Sequence, residues 1–340
     1  MNVYFRLTDS GGGANVLVSG IADALGRAGH SARVDYLPRW VDMLPQAGML
    51  FPDRPNGADI VHGDAFTGYY PSRTPFVFTF HHVVHDHGLG YRTPAQRIYH
   101  LLLRRWERRA LRHAAAVVCP SEYTRGELGR VFGFNNARLI YNGVDTDVFR
   151  PGPAAREKYA IAPDTTVLLF TGNPIRRKGA DLLPEIMRAL GPGHLLILTC
   201  GMRGTRPLPV ENCLNLGSVP PAQLPEIYNL CDMLLFPTRL EGFGLSAAEA
   251  MACAKPVVST RCSALPELVS SGEHGFLCAP DSVAEFARAI QQLRARPGQR
   301  AAMGAAARQR IVERFSLQRM TGGYIGLYEE LLRERTPGQP

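Results

Sequence analysis

The sequence predicts an α/β protein built from two doubly wound units. Short apolar runs alternate with helical patterns almost from end to end, as expected of parallel sheets covered by helices. The 340 residues exceed the size at which a single core usually stops growing, so two domains are expected. The stretch "NGVDTDVFRPGPAAREKY" breaks the alternation with turn residues and two prolines. It places a linker near residues 143–160.

In the first unit the runs "NVYFRL", "ARVDYL", "DIVHGDA", "FVFTF", "AAVVCP" and "RLIYN" read as strands. The first leads through "TDSGGGA" into the amphipathic helix "NVLVSGIADALGRAG", which Gly29 stops, and Ser121 opens a later helix. In the second unit the strands are "TVLLFTGN", "HLLILTCG", "CLNLGS", "DMLLFP", "KPVVST" and "GFLCAP". A helix is expected from Ala180, another over "QLPEIYNL" and a third beginning near Gly244; from Ser282 the pattern is helical to the end. Two doubly wound units imply crevices at the carboxyl ends of their strands, facing a shared cleft.

The hydrophobic fraction of 45% excludes wholesale disorder. No apolar stretch approaches the length of a spanning helix, and the N-terminus lacks the pattern of a signal peptide. The seven cysteines, at 119, 200, 213, 231, 253, 262 and 278, contain no C-x-x-C and fall mostly in or beside apolar runs. They read as reduced core residues of a cytoplasmic protein, and no zinc site is expected.

The net charge of +8 divides evenly, with 17 arginines against 13 acids in residues 1–150 and 21 basic against 17 acidic residues in the remainder. The excess in the first part lies mainly in "TPAQRIYHLLLRRWERRALRHA". On a helical wheel Arg97, Arg104, Arg105, Arg108, Arg109 and Arg112 occupy one arc and Tyr99, Leu102, Leu103, Trp106, Ala110 and Ala114 the other. Two readings stand: a solvated surface helix, or an interfacial helix over residues 94–113 touching an anionic membrane surface.

Three strand-to-helix junctions carry candidate chemistry. Gly11, Gly12 and Gly13 follow the first strand, where backbone amides can approach a phosphate without a Cβ in the way, although a tight turn gives the same pattern. "TGNPIRRKGAD" occupies the same position in the second unit. Only three of the 38 basic residues are lysines, and one of them, Lys178, follows Arg177 directly before a glycine. A compact ammonium beside a planar guanidinium suits a diphosphate. "RLEGFGLSAAEAMACAKPVVS" adds two carboxylates, with Glu241 just outside a helix N-terminus and Glu249 more than one turn inside. Eight residues along a helix rise about 12 Å, against about 5 Å for the carboxylates of a retaining hydrolase. An activated sugar with a diphosphate leaving group fits better, because such a group needs fixed positive charge more than protonation.

These pieces resemble the family 4 retaining glycosyltransferases of the GT-B fold across nearly the whole chain. "GGANVLVSGIADALGRAGH", "FTFHH", "YNGVDTDVF", "RRKG", "LPELV" and "ERFS" match, and the E-x7-E pattern of Glu241 and Glu249 around "GFG", followed by "EAMA", is the specific signal. The resemblance implies two Rossmann-like domains: 1–150 on the acceptor side, 151–315 binding the nucleotide sugar, and 316–340 as a helix crossing back to the first.

It further implies that Glu249 binds the ribose hydroxyls and Glu241 those of the donor sugar. Amides of Phe243, Gly244 and Leu245 would lie beside sugar and phosphate, Arg177 and Lys178 would neutralise the diphosphate, and Gly12, Gly13 and Val219 would lie along the donor. His81, one of a cluster with His82, His85 and His87, would stand near the donor sugar; a structural histidine at a strand end is the other reading.

Three departures from the family pattern stand out. Asn173 replaces an arginine, leaving Arg176 or Arg177 to supply its charge; His81-His82 replaces His-Asp; and "RCSALPE" lacks the usual glycine pair. "DTD" at 145–147 falls in the linker and reads as a turn, so no metal and no cofactor is expected.

The resulting expectation is a hexosyltransferase moving sugar from a nucleotide-diphosphate donor to a hydroxyl of a glycan, a glycolipid or a small molecule, in envelope glycan or glycolipid synthesis. It would sit in the cytoplasm or peripherally on the inner membrane face. The alternatives are a GT-B nucleotide-sugar epimerase or hydrolase, and a basic nucleic-acid-binding protein. For the latter, the sequence has only two tryptophans and no nucleic-acid motif.

Overall fold

The computed structural model describes residues 1–9, 13–43, 57–64, 74–83, 94–200 and 209–335. Among them the chain forms twelve strands and ten α-helices in two compact units, Met1–Gly143 with Leu317–Pro340, and Val144–Ser316. The first division falls at Gly143 rather than residue 150. Val144 already belongs to the second unit, pairing with Ser316 and donating its N–H to Phe315 O at 2.9 Å.

The first unit holds β1 (Asn2–Thr8), β2 (Ser31–Leu37), β3 (Ile60–Gly63), β4 (Phe76–Thr79), β5 (Ala116–Cys119) and β6 (Arg138–Leu139), paired in parallel in the order β2-β1-β3-β4-β5-β6. β1, β3 and β4 are buried almost throughout, as a sheet covered on both faces requires. The helices are α1 (Gly13–Arg27), α2 (Pro94–His113), α3 (Glu122–Phe132) and, from the far end of the chain, α10 (Leu317–Arg335). Ser121 caps α3, its side chain accepting the Thr124 N–H at 3.0 Å. α10 is tied to the sheet by a buried chain of hydrogen bonds. His62 Nδ1 lies 2.6 Å from the Tyr328 hydroxyl and Nε2 lies 2.7 Å from Thr79 Oγ1, which in turn is 3.0 Å from the Tyr324 hydroxyl.

α2 is rotated from the wheel drawn on its sequence. Leu103, Glu107, Ala110 and Leu111 form the buried stripe, whereas Leu102 is 50% exposed. Arg104 is half-buried: it donates to Val131 O at 2.8 Å and stacks 5.8 Å from the Phe132 ring centre. The arginine aliphatic stem and planar head pack where a wheel assigns a solvated charge.

The second unit holds β7 (Thr166–Thr171), β8 (His194–Cys200), β9 (Cys213–Ser218), β10 (Met233–Phe236), β11 (Val257–Thr260) and β12 (Gly275–Cys278), in the parallel order β12-β11-β10-β7-β8-β9. Its helices are α4 (Leu183–Leu190), α5 (Leu224–Leu230), α6 (Leu245–Ala252), α7 (Leu265–Leu268), α8 (Val283–Ala295) and α9 (Pro297–Arg314). α4 starts later than Ala180: residues Ala180–Leu182 form a 3-10 turn, and Pro184 takes a first-turn position where its missing N–H costs nothing. β7, β10 and β11 are buried at every position, around a core that includes Leu168, Phe170, Leu196, Leu235 and Phe286.

All seven cysteines are free, four of them buried and three half-buried. Burial pushes the thiols of Cys119, Cys231, Cys253 and Cys278 up to about 12, leaving them unreactive. No helix among the described residues is long and apolar enough to cross a membrane.

Candidate functional site

In the second sheet, β8 and β9 lie to one side of β7 and β10, β11 and β12 to the other. The chain therefore reverses direction across the sheet between β7 and β10, and a crevice opens outside their carboxyl ends. The loops leaving these two strands are fastened together there. Arg176–Lys178 form a 3-10 turn that ends at Gly179, with φ at +73°. A Cβ at Gly179 would stand 1.9 Å from Pro237 O, so only glycine lets the turn lie against the β10 exit. Arg177 O accepts the Arg239 N–H at 2.8 Å and the Thr238 hydroxyl at 3.2 Å. The Arg239 side chain reaches Arg176 O, Asp181 at 2.7 Å and Asp281 at 2.8 Å.

This fastening brings Lys178 to Glu241, with Nζ 2.5 Å from Oε1. Glu241 is 8% exposed. Its Oε1 also accepts the Thr238 hydroxyl at 3.0 Å and lies 4.0 Å from Arg177 Nη1, which donates to Leu240 O at 2.8 Å. Burial opposes the charge on Glu241, but Lys178, Arg177 and the hydrogen bonds outweigh it and hold the carboxyl below its usual value. The Lys178 ammonium also sits 5.1 Å from the Phe236 ring centre, over the negative face of the ring. Between the two candidate arginines the geometry discriminates. Arg177 stands beside Lys178 and Glu241, whereas the Arg176 side chain is 65% exposed and lies 3.8 Å from Asp181.

The loop after β11 seats Glu241 from behind. Ser263 Oγ accepts the Glu241 N–H at 2.9 Å, and Cys262 Sγ contacts Thr238 O at 3.3 Å. Ser263 has φ +45°, in the left-handed region that favours glycine. α6 begins next, with Gly244 as its N-cap at φ +101° and no side-chain cap, so its first amides remain for another acceptor. A Cβ at Gly244 would come within 2.7 Å of Leu265, which explains the glycine of "GFG". One turn inside, Glu249 accepts the Tyr228 hydroxyl at 2.6 Å. Burial raises the Glu249 carboxyl to about 7, against the opposing pull of that hydrogen bond and of Lys178. Lys178 thus acts on both carboxylates.

The other expected residues fall in several places. Asn173 follows β7, and its Oδ1 is buried with no hydrogen-bond partner, an acceptor that a ligand N–H or hydroxyl would satisfy. Phe243 packs its ring 5.6 Å from Phe315, leaving only its backbone for a ligand, and Leu245 is the first residue of α6. Val219 leaves β9, two strands from β7 and therefore about 10 Å from it. Asp145 Oδ1 accepts the N–H groups of Asp147 and Val148 at 3.0 and 3.2 Å, closing the D-x-D segment into a turn. Among the described residues no group of three or more His, Cys, Asp or Glu is placed to hold a metal.

In the first unit the order reverses between β1 and β3. A cavity there is lined by Leu7, Ile21, His62, Asp64, His81 and Asn142, among others. Burial lowers His81 to about 4, so its imidazole is neutral at physiological pH. Gly13 is the first residue of α1, while Gly12, His85 and His87 lie outside the described residues.

Three participants escaped the sequence reading: Tyr228, Thr238 and Ser263. Ser263 left a trace, because it stands in the segment where the family has glycines. Tyr228 left none, since a tyrosine inside the apolar pattern of α5 reads as core.

Fold and site together define a class: a two-unit doubly wound protein whose second switch point presents two cations, two carboxylates and a bare helix N-terminus. Comparison with known sequences narrows it. Residues 35–148 match Glycosyltransferase Family 4 and residues 153–310 match the glycosyl transferases group 1. The chain belongs to the family 4 glycosyltransferases, with the GT-B fold. It is 32% identical to a D-inositol 3-phosphate glycosyltransferase of Segniliparus rotundus, over 64% of this chain and 52% of that one. It is 33% identical to the GDP-mannose-dependent alpha-(1-6)-phosphatidylinositol monomannoside mannosyltransferase of Mycolicibacterium smegmatis, over 59% of this chain and 58% of that one. The matched part thus spans little more than half the length of these relatives. The sucrose-phosphate synthase of Thermosynechococcus elongatus superposes with a TM-score of 0.84 over 98% of this chain and 100% of its own, at 22% identity, a likeness of fold.

Proposed function

We propose that this chain transfers a glycosyl residue from a nucleoside-diphosphate sugar to an acceptor hydroxyl with retention of configuration and without a metal ion. The observation that carries the reading is the ion pair of Lys178 with Glu241 at the second switch point, beside Arg177 and ahead of the uncapped N-terminus of α6. In the free protein Glu241 neutralises Lys178. A donor whose sugar hydroxyls donate to Glu241 and whose diphosphate faces Lys178, Arg177 and the α6 amides satisfies every member of the set. Glu249, with its Tyr228 bond, takes the ribose hydroxyls, and Asn173 Oδ1 takes a further donor proton.

In the step itself the bond from sugar C1 to the β-phosphate oxygen breaks, with its electron pair leaving on the diphosphate. The acceptor oxygen bonds to C1 on the same face, and its proton passes to the departing phosphate oxygen. The added charge on the diphosphate falls on Lys178 and Arg177, which supports a metal-independent reaction. The neutral imidazole of His81, in the cavity of the first unit, is suited to accept a hydroxyl. The relatives' names support an inositol-containing or phosphatidylinositol-linked acceptor.

The test is incubation with UDP-, GDP-, ADP- and dTDP-sugars, with and without candidate acceptors, following nucleoside diphosphate release and product anomer. Acceptor-dependent release with retained configuration is expected. Free sugar formed regardless of acceptor would replace transfer by hydrolysis, and an epimerised donor would replace it by epimerisation. Complete loss on chelation, restored by magnesium, would overturn the metal-independent step.

A further inference from the structure

We infer that Tyr228 is a positioning residue for donor binding, its hydroxyl holding Glu249 as the aligned carboxylate that tells ribose from 2′-deoxyribose. The inference rests on the donor reading above and adds a residue to it. Tyr228 lies in α5, is 1% exposed and packs edge-on against Phe149 with 5.8 Å between ring centres. Packing of this kind fixes where the phenol oxygen stands, and it stands 2.6 Å from Glu249 Oε2. Burial, and then the Glu249 charge, push the phenol well above its ordinary value, so it stays protonated and donates. Glu249 makes no other hydrogen bond among the described residues, which leaves Oε1 open to the vicinal hydroxyls of a ribose.

The same bond bears on the charge that Glu249 carries. Burial drives a carboxyl toward its neutral form; the Tyr228 hydrogen bond and then Lys178 pull the other way, and the balance stands at about 7. These two are the groups that face the carboxyl, one from α5 and one from the turn after β7. Cys253, one turn further along α6, feels its charge, while Arg308 of α9 reaches Ala252 O and acts on Cys253 instead. Lys178 is already committed to Glu241 at 2.5 Å. Tyr228 therefore supplies the direct contact that favours the ionised form. The charge matters to the sugar: a protonated Glu249 would offer a proton where two ribose hydroxyls also donate, so the carboxylate is the form that accepts both.

The experiment is calorimetric titration of the full chain with UDP, GDP and ADP and with their 2′-deoxy forms, between about pH 6 and about pH 9. For whichever base binds, the preference for ribose should rise through about pH 7 in the parent. Tyr228→Phe keeps the ring packing and should move that rise to higher pH. The ribonucleotide should bind about fivefold more weakly at neutral pH and recover to within about twofold at the alkaline end, while the 2′-deoxy form changes by less than about twofold throughout. Glu249→Gln should abolish the pH dependence of the preference, and adding Tyr228→Phe to it should cost nothing further, because the phenol acts through the carboxylate. A tyrosine that only filled the core would weaken both sugar forms alike, and its loss would add to that of Glu249→Gln; either result overturns the inference. A parental pH profile in Tyr228→Phe, with the profile abolished in Glu249→Gln, overturns it and leaves the donor reading standing. A ribose preference untouched by Glu249→Gln, or a parent that binds none of these nucleotides, would sink the donor reading and this inference together.

Discussion

Ser263 accepts the backbone N–H of Glu241 at 2.9 Å while its own backbone is held at φ +45°. A non-glycine residue in that region costs about 1 kcal/mol, and strain of this kind persists where the surroundings over-determine it. The hydrogen bond recovers a similar amount. Ser263→Gly should therefore leave unfolding free energy near that of the parent, because strain and bond disappear together. Ser263→Ala keeps the strain and loses the bond, and should be less stable than the glycine variant by about 1 kcal/mol. Both should lower turnover about tenfold by loosening Glu241. Urea unfolding beside steady-state kinetics checks this; an alanine variant as stable and as active as the parent would show that the bond holds nothing in place.

The Lys178–Glu241 pair separates folding from function. Lys178→Ala leaves a largely buried carboxylate with the Thr238 hydroxyl at 3.0 Å and the Arg177 guanidinium at 4.0 Å but without its close ammonium partner. Allowing for the residual exposure of both side chains, the loss should be about 2 kcal/mol. Lys178→Met combined with Glu241→Gln removes both charges at similar volume and should regain most of that stability. Neither variant should consume donor at more than about a hundredth of the parental rate. If the losses of Lys178→Met, Glu241→Gln and the double variant in denaturant titrations simply add, the two residues are not energetically coupled.

Glu249 makes stability fall with pH in an unusual window. Its carboxyl is raised by burial from an ordinary 4.5 to about 7, so the folded chain binds this proton more tightly than the unfolded chain does. The contribution is complete below 4.5 and is lost as pH rises through about 7. Glu241, held below its ordinary value, works the other way: its contribution is present above 4.5 and is lost in acid. Glu249→Gln should abolish the decline between about pH 5 and about pH 8. Parallel urea titrations of parent and variant at the two pH values measure it, and an unchanged slope would place the titrating group elsewhere.

Much of this was legible in the sequence, for identifiable reasons. β7, β10 and β11 are buried on both faces, so they appear as unbroken apolar runs that no surface segment imitates. "GFG" announced the start of α6 because Gly244 takes a backbone angle and a space that admit nothing larger. Lys178 stood out by its rarity among arginines. What stayed hidden depends on contacts between distant loops. Ser263 meets Glu241 across 22 positions and Tyr228 meets Glu249 across 21, and neither pairing follows any helical or strand period. The rotation of α2 was hidden for a related reason. Leu102 and Leu103 differ by about 100° on a wheel, and only the packing of Ala110 and Leu111 against the sheet decides which faces in.

The hydrogen-bond chain beneath α10 gives a test in the first unit. His62 is buried, and desolvation with the nearby His81 lowers it to about 3, so its ring is neutral and each nitrogen has one defined partner. Tyr328→Phe keeps the ring packing but leaves His62 Nδ1 buried without its hydroxyl. The penalty for an unsatisfied buried group predicts a loss of about 2 kcal/mol. Thr79→Val breaks the chain at its centre, separating both His62 Nε2 and the Tyr324 hydroxyl from their partner, and should cost more than Tyr328→Phe. If these bonds fasten α10 to the sheet, amide exchange within Leu317–Arg335 should accelerate in both variants more than exchange in α4 of the other unit. Uniform acceleration across both units would mean that the chain contributes only to global stability and leaves the helix attached by its apolar contacts.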